Sequence, residues 1–541
     1  MKGFQINIKL TKVDYKIFSK SEDFDNYIVD YQNVLIVIEG VILNSKEFDF
    51  KNNSFPFHLL YTAFGKDFIQ QLEGEIVGFI YDRNLNKIYT FTNFTGTRKL
   101  FYYKNQDQII IDTSLIRLVD ELKIAKLNYT LDEFTMYCLL VFGYTLENYT
   151  AIKEVKKLCD AEILTVEVNS LQTIVDSYHI SSNPFQGKKE DALAEINSLF
   201  TEATILEFEK DKELNKESFV LLSGGLDSRM TLIVALQNGF RIDEAFCFSQ
   251  KGYWDEKIAR QITKDYKIPL HFVSLNGGQY ITDIDKTFKI TEGLVNYASI
   301  IHTQFAFNSV DKNRFGLIHS GQLGDGYLGT FNKHPYKHPP TKEKAVLNHR
   351  MYNQIEDKFL LILKEYDREE IYFTRNVGYN RAVLGSYLAE NISYQTSPFM
   401  YSKLVKFAQS LPENWKFNQQ IYIDWINEYQ NAATKYTWER TLLKPTSNFN
   451  TILGDKVVRK FYNLMINKIF KRHDLGNMTA YNYYYQHNEN LKNEIENYFN
   501  QTIDLVESAE LKKDLITQFN AGDFNEKSMV LTVLSVIRHY F

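Results

Sequence analysis

Hydrophobic and polar residues in the first 180 positions follow the pattern of short β-strands separated by polar turns. The clearest example is residues 34–44, a β-branched run that is broken by Gly40. The predicted strands are residues 34–44, 75–81, 87–91, 100–103 and 108–112. Two helical patterns lie among them, near residues 56–72 and 131–141. This order predicts an α+β sandwich in which most neighbouring strands run antiparallel.

A different pattern begins after the polar residues 181–189, which precede an amphipathic helix predicted at residues 191–209. Strands are then predicted at residues 219–222, 244–248 and 270–274, and helices at residues 229–238 and 254–266. Such alternation predicts right-handed crossovers and a parallel sheet. From about residue 340 the chain is predicted to be mostly helical. Because 541 residues exceed what one core accommodates, we predict two domains, residues 1–185 and 190–541.

Composition excludes several classes of protein. A net charge of -5 gives no basic surface for nucleic acid, and no window of 18 apolar residues predicts a membrane span. The three cysteines, Cys138, Cys159 and Cys247, are odd in number and form no CxxC pattern, which favours a reducing compartment. The first residues lack the apolar core of a signal peptide. We therefore expect a cytoplasmic protein.

Candidate chemistry lies directly after the predicted strand 219–222, where residues 223–228 have the sequence SGGLDS and a helix follows. Two glycines allow a sharp turn that brings backbone N–H groups toward one point. Ser223 and Ser228 add hydroxyl donors, and the start of the helix adds the positive end of its dipole. These features predict a polyphosphate cradle. The alternative is a strand–turn–helix junction whose glycines serve geometry alone.

Asp227 would repel phosphates inside such a cradle unless a cation lay between them, and Mg²⁺ prefers carboxylate and phosphate oxygens. The sequence therefore predicts Mg²⁺ together with a polyphosphate ligand. The spacing differs from that of a Walker A loop.

SGGxDS at the end of a strand is the signature of N-type ATP pyrophosphatases, and the chain resembles their asparagine synthetase-like amide ligase branch. Three later segments are similar to motifs of that family in order: residues 255–260 (DEKIAR), 320–325 (SGQLGD) and 397–401 (SPFMY). Residues 72–82 (LEGEIVGFIYD) are similar to a strand of its glutaminase domain. The resemblance thus spans nearly the whole chain.

The resemblance implies an inactive N-terminal-nucleophile (Ntn) glutaminase fold at residues 1–185. It implies an ATP pyrophosphatase domain, similar to adenine nucleotide α-hydrolases and helical toward its end, at residues 190–541. ATP would contact Leu222, Ser223, Gly224, Gly225, Leu226, Asp227, Ser228, Phe248, Ser249, Gly321 and Gln322. Asp227 and Asp325 would hold Mg²⁺, and Lys444, with Lys435 as the second choice, would be the catalytic lysine. A substrate carboxylate would attack the α-phosphate, release pyrophosphate and form an acyl-adenylate, from which an amine displaces AMP.

The sequence departs from glutamine-dependent members of the family at the nucleophile. Those enzymes begin with a cysteine, whereas Lys2 stands here and the nearest cysteine is Cys138. The arginine segment of the glutaminase site is replaced by residues 92–96 (TNFTG), and its NGEIYN segment by residues 39–44 (EGVILN). We therefore expect no glutaminase activity and interpret the N-terminal domain as a retained scaffold.

This combination is similar to β-lactam synthetases and lasso-peptide macrolactam synthetases, whose substrates carry their own amine. Gln322 replaces the acidic residue of asparagine synthetases and the catalytic tyrosine of β-lactam formers, and glutamine cannot act as a base. Tyr394 stands where the family has a glutamate, and residues 333–355 have no clear counterpart.

The leading hypothesis is an AMP-forming carbon–nitrogen ligase, with macrolactam formation on a peptide as the preferred substrate class. A leader-peptide protease or another protein of a biosynthetic cluster would then be a partner. One alternative is an asparagine synthetase-like amidotransferase that uses ammonia on a small molecule or a surface-sugar carboxylate. The other is a catalytically silent nucleotide-binding regulator.

Other residues are interpreted as structural. His334 and His338 are four apart, but Pro335, Pro339 and Pro340 disfavour a helix and no acidic or cysteine ligand lies near in sequence, so no metal site is expected there. His302 is interpreted as a buried structural histidine. The basic residues 456–473 predict a solvated face, with docking of an acidic peptide as the alternative.

Overall fold

The computed structural model of the chain describes residues 2–18, 26–48, 57–178, 183–311, 313–385, 393–469 and 475–541. Four regions used in the sequence analysis lie in part outside the described residues: the start at Met1, residue 56 of the helix predicted near residues 56–72, the polar residues 181–182 and the basic residues 471–473.

The N-terminal part contains eleven of the strands in the described residues. They are β1 (Phe4–Lys9), β2 (Lys12–Ile17), β3 (Asn26–Tyr31), β4 (Val34–Ile42), β5 (Gly74–Asp82), β6 (Lys87–Thr92), β7 (Phe101–Lys104), β8 (Gln108–Asp112), β9 (Val155–Lys157), β10 (Glu162–Glu167) and β11 (Gln172–Ser177). One sheet has the order β2-β1-β8-β7-β9, and the other has the order β11-β10-β6-β5-β4-β3. Within each of these two sheets, every pair of neighbouring strands is antiparallel, and the sequence predicted mostly antiparallel pairs.

The two antiparallel sheets pack face to face. Ile6 of β1 and Val37 of β4 belong to one buried cluster between them. Ile36 and Ile38 point to the other side of β4, because side chains alternate along a strand, and they pack around helix α1 (Phe57–Phe64). The α+β sandwich predicted from the sequence is therefore present.

The second sheet system is parallel throughout. Its strands are β12 (Glu217–Leu221), β13 (Glu244–Ser249), β14 (Leu270–Ser274), β15 (Phe315–His319) and β16 (Gln395–Thr396), in the order β14-β13-β12-β15-β16. The sequence predicted the first three. It missed β15 and β16, of which β16 has only 2 residues and is too short to show a clear pattern.

The helices cover the parallel sheet and form most of the C-terminal part. Those before residue 375 are α2 (Leu115–Ile124), α3 (Glu133–Phe142), α4 (Lys189–Glu213), α5 (Leu226–Gln237), α6 (Trp254–Tyr266), α7 (Ile284–Thr291), α8 (Ile301–Phe307), α9 (Lys342–Ala345), α10 (Glu356–Lys364) and α11 (Glu369–Phe373). The later ones include Ser402–Ser410, Gln420–Tyr429, Asn448–Leu453, Arg459–Leu464, Tyr481–His487, Glu489–Thr502, Ala509–Ala521 and Phe524–Tyr540. None of the described helices is long and apolar enough to cross a membrane.

Helix α3 joins the N-terminal part to the C-terminal helices. Residues from Thr135 to Phe142 are all buried, so the helix has no solvent face beyond its first two residues. Its side chains share one hydrophobic cluster with those of the last helix, Phe524–Tyr540. The two predicted domains therefore share a core, and the exact boundary between residues 185 and 190 stays a prediction.

Candidate active site

A cavity of about 690 Å³ lies at the carboxyl ends of β12, β13 and β15, where open parallel sheets usually bind ligands. Ten of the residues predicted from the sequence line it: Leu222, Ser223, Gly225, Leu226, Asp227, Ser228, Phe248, Gly321, Gln322 and Asp325. Gly224, Ser249 and Lys444 do not line it. The structure thus brings together segments that are about 100 residues apart in the sequence.

The SGGLDS turn holds itself in shape through its two serines. The Ser223 N–H donates to the Ser228 Oγ at 3.1 Å, and the Gly225 N–H donates to the Ser223 Oγ at 3.1 Å. The sequence predicted that these N–H groups converge on phosphate. They are instead taken up inside the turn by the two serine hydroxyls, which lie 3.2 Å from each other, and both serines line the cavity together with the first residues of α5.

Gly224 faces away from the cavity, toward α6. Its N–H donates to the Asp255 Oδ1 at 2.6 Å. A Cβ at this position would lie 2.7 Å from the Glu439 Cβ and 3.0 Å from Asp255, so no larger residue fits. Gly224 is therefore needed for packing behind the turn. Its predicted contact with ATP is not supported by the orientation of its N–H.

A second glycine brings β15 against α5. A Cβ on Gly321 would lie 2.2 Å from the Asp227 carbonyl carbon, so the backbones touch there. A Cβ on Gly324 would lie 2.9 Å from the Asp227 carboxylate carbon. This close approach places Asp325 beside Asp227, and the Asp325 N–H donates to the Asp227 Oδ2 at 3.1 Å.

The two carboxylates lie in an environment that disfavours their charge. Burial, followed by the charge of Asp325, raises the pKa of Asp227 to about 8, although a hydrogen bond of 2.6 Å from the Tyr422 hydroxyl opposes the shift. Burial also raises the pKa of Asp325, against the charges of Arg440 and Lys333. Two like charges this close together and partly shielded from water are costly unless a cation lies near them.

This donor set fits magnesium. Both side chains offer hard carboxylate oxygens inside the cavity, and a divalent cation would relieve the repulsion that raises the pKa of Asp227. Asp227 and Asp325 are therefore the residues that would hold Mg²⁺.

Arg229 holds together two of the segments that form the cavity. It is fully buried in α5, and its Nη atoms donate to the carbonyl oxygens of Ala433 at 2.8 Å, Thr437 at 2.7 Å and Gly224 at 3.1 Å. Burial lowers the pKa of Arg229 to about 10, which still leaves it charged at neutral pH. One side chain thus joins the SGGLDS turn to the segment that leads to Trp438 and Arg440.

Two arginines bring positive charge to the cavity. Arg440 lines it and donates to the Gln419 Oε1 at 2.9 Å and to the Asp455 Oδ2 at 2.6 Å. Arg381 also lines it, within the π-helical segment Thr374–Ala382. Lys444 and Lys435 are exposed and lie outside the residues that line the cavity. The catalytic role of Lys444 stays a prediction.

Gln322 lies at the rim of the cavity, where the Nε2 donates to the Ala382 carbonyl at 3.3 Å. Ser249 is buried, and its Oγ donates to the Gln250 carbonyl at 3.1 Å. The His302 Nδ1 lies 3.1 Å from the Tyr481 hydroxyl, within hydrogen-bond distance. Burial lowers the pKa of His302 to about 4. This environment agrees with the structural role predicted for His302.

Sequence reasoning missed Tyr422, Trp438, Arg440 and Arg381. Arg440 stands four residues before Lys444 in the segment singled out for a catalytic cation, so its charge was a usable signal. Tyr422 and Arg381 carry no local signal, because they reach the site from distant helices.

Comparisons with known proteins agree with this geometry in part. A family model described as asparagine synthase matches residues 197–383, which include the SGGLDS turn, Asp325 and Gln322. A search of curated proteins finds no match.

Among solved structures, the chain is similar to glutamine phosphoribosylpyrophosphate (PRPP) amidotransferase from B. subtilis, complexed with ADP and GMP, at 9% identity and a TM-score of 0.22. That match covers 50% of this chain and 59% of the other. A structure described as the allosteric regulatory enzyme of purine biosynthesis matches at 9% identity and a TM-score of 0.22, over 50% of this chain and 74% of the other. Likenesses this weak do not bear on function.

The family match and the cavity coincide, because the matched residues supply the turn, Gln322 and both carboxylates that line the cavity. The chain therefore contains, at residues 197–383, a region that is similar to asparagine synthase.

Proposed function

We propose that this chain adenylates a substrate carboxylate with ATP and passes the acyl group to an amine that does not come from glutamine. The observation that carries the proposal is the pair of neighbouring carboxylates, Asp227 and Asp325, that line the cavity beside the SGGLDS turn. A nucleotide-binding protein without chemistry has no need for two like charges held against each other in a cavity. A metal-bridged triphosphate gives them a role.

The residues around the cavity divide the work. Leu222, Leu226 and Phe248 supply an apolar wall that suits adenine. Ser223 and Ser228 face the phosphates with the start of α5. Mg²⁺ held by Asp227 and Asp325 would supply neutralisation of the triphosphate charge. Arg440 and Arg381 remain to hold a substrate carboxylate or the departing pyrophosphate, and such fixed charges act without reorganisation.

The amine must reach the cavity with its lone pair free. Gln322 cannot remove a proton, and its amide is engaged with the Ala382 carbonyl. An amine on the same substrate as the carboxylate meets this need best, because intramolecular attack replaces a second binding event with positioning. Cyclisation of a peptide to a macrolactam is therefore the reaction that we favour.

Asp227→Asn tests the metal role. We expect the variant to lose carboxylate-dependent exchange of labelled pyrophosphate into ATP while its circular dichroism stays unchanged, because asparagine keeps the shape but not the charge. The wild type supplies the reference with each candidate carboxylate. Full exchange by the variant contradicts the assignment, and ADP in place of AMP as the product contradicts the whole mechanism.

A further inference from the structure

A second group of metal-ligating side chains lies outside the cavity. His334 and His338 come from the loop that follows the turn after Asp325, and Glu369 is the first residue of α11. One possible ligand atom from each of the three lies within 4.8 Å of the other two. In the part of the chain that the structure describes, this is the one group of three or more His, Cys, Asp or Glu residues arranged in this way.

Glu369 is held in place by the loop itself. Its side chain is only 3% exposed, and the Oε1 accepts the His334 N–H at 2.8 Å and the Lys333 N–H. The Glu369 N–H donates in return to the His338 carbonyl at 2.7 Å. The loop therefore wraps around one carboxylate, and the acidic partner that the sequence did not place near the histidines comes from α11.

The two imidazoles are stacked and oriented. Their ring centroids lie 4.1 Å apart with an angle of 23° between the planes. The His334 Nδ1 lies 3.0 Å from the Glu369 Oε2. The His338 Nδ1 lies 2.5 Å from the Pro339 carbonyl oxygen, which fixes the hydrogen on Nδ1 and leaves the Nε2 lone pair free. A backbone carbonyl that orients a histidine in this way is typical of metal sites.

We propose that His334, His338 and Glu369 bind a zinc ion. Two imidazole nitrogens and one carboxylate suit Zn²⁺ and not Mg²⁺, which prefers oxygen ligands. An ion there would take the place of the hydrogen between the His334 Nδ1 and the Glu369 Oε2. Both histidines are half-buried, so water can fill a fourth position.

A zinc ion at this site would link the loop that carries His334 and His338 to α11, close to the synthetase cavity. Lys333 precedes His334 and lies close enough to both Glu369 and Asp325 for their charges to act on its ammonium group. The loop therefore passes between the two sites. Pro335, Pro339 and Pro340 already restrict the loop, which lowers the entropy lost when an ion binds. The proposal is independent of the proposed function and stands without any amide-forming activity.

Zinc binding is measured directly on the full chain, purified without a histidine tag and stripped with a chelator. The protein competes with a zinc-responsive dye in excess Mg²⁺, which occupies carboxylate sites. We expect the wild type to bind one zinc per chain and His338→Asn to bind zinc at least about tenfold more weakly. Removal of a residue that only hydrogen-bonds a metal ligand already costs about tenfold or more in metal affinity, and removal of a ligand should cost at least as much. His349→Asn is the matched control, because His349 is exposed on the segment that follows.

Cobalt and thermal melting separate loss of a ligand from loss of fold. Co²⁺ should give visible d–d bands in the wild type and His349→Asn but not in His338→Asn. With chelator present, the three proteins should melt at the same temperature, and zinc should raise the melting temperature of the wild type and control only. The proposal is overturned if the wild type binds no stoichiometric zinc, or if the double variant His334→Asn/His338→Asn binds it equally well.

Discussion

At the scale of single residues, two aspartates and two arginines determine the distribution of charge in the cavity. Asp227 and Asp325 bring two carboxylates to its lining, and the cations that line the same cavity are arginines. Arg440 carries a fixed geometry, because Asp455 and Gln419 hold its guanidinium. Arg440 and Lys444 stand four residues apart in the same loop, so one pair of variants can separate their roles.

Arg440→Met should reduce turnover by at least about 100-fold while ATP still binds, as expected for loss of one preorganised charge donor. Lys444→Met, made in parallel, tests the role predicted from the sequence. Pyrophosphate exchange measures turnover, and calorimetric titration measures ATP binding. Near-normal turnover of Arg440→Met together with an inactive Lys444→Met would return the role to Lys444.

Elements are positioned by a buried polar cluster between α4 and β15. His319, at the end of β15, lies 3.1 Å from the Glu207 Oε2 and 2.7 Å from the Asp211 Oδ2, and its ring stacks on Phe208 at 3.8 Å. Burial alone would lower the pKa of His319, but Asp211 and Glu207 outweigh it and raise the pKa from 6.5 to about 9. The strand that leads to Gly321 and Asp325 is thus anchored by a buried imidazolium.

The anchor predicts a dependence of stability on pH. Because the pKa of His319 is higher in the folded than in the unfolded chain, its contribution is complete below pH 6.5 and is lost as pH rises through about 9. We expect the melting temperature of the wild type to fall across this range, and that of His319→Gln to start lower and fall less. Parallel curves for the two proteins would show that His319 does not carry the dependence.

On the scale of the whole molecule, the N-terminal part braces the cavity wall. Asn376, in the segment that ends beside Arg381, donates to the Glu147 Oε1 at 2.7 Å and accepts the Glu147 N–H at 2.9 Å. The Arg375 Nε donates to the Asp160 Oδ1 at 2.9 Å. These contacts, with the core shared through α3, connect the sandwich to the synthetase cavity.

This connection predicts that the two parts unfold together. Calorimetry of the wild type should show one transition, and Asn376→Ala should shift it as a whole, at a cost of about 1–3 kcal/mol for buried partners left unpaired. Asn84→Ala serves as the control, because the Asn84 hydrogen bond to Asn33 is exposed. Two resolved transitions, with only one moved by Asn376→Ala, would contradict this coupling.

The burial of the cysteines bears on whether glutamine can serve as the nitrogen source. All three cysteines are buried, and burial raises the pKa of Cys159 to about 12 and that of Cys138 well above its usual value. Their thiolates, the reactive forms, are therefore scarce at neutral pH. We expect no glutamate from glutamine, with or without ATP, measured by mass spectrometry against a no-enzyme control. Glutamate formed at enzyme-like rates and blocked by a thiol-reactive glutamine analogue would contradict this.

The sequence alone determined the features that depend on neighbouring residues. The strand–SGGLDS–helix unit, the alternation that makes a parallel sheet and the antiparallel strands of the sandwich all follow from local period and turn chemistry. The resemblance to asparagine synthetase-like ligases added the prediction that Asp325 acts with Asp227. The predictions of strands, turns and helices succeeded because backbone geometry and side-chain alternation act over a few residues.

The tertiary structure alone decided which side chains meet across long stretches of chain. It put Arg440 and not Lys444 on the cavity lining, and it brought Glu369 to two histidines that have no acidic neighbour in sequence. It also turned the N–H groups of residues 223–225 inward, onto Ser228, Asp255 and Ser223. Such contacts depend on how whole elements pack, and packing leaves no periodic trace in the sequence around any one of them.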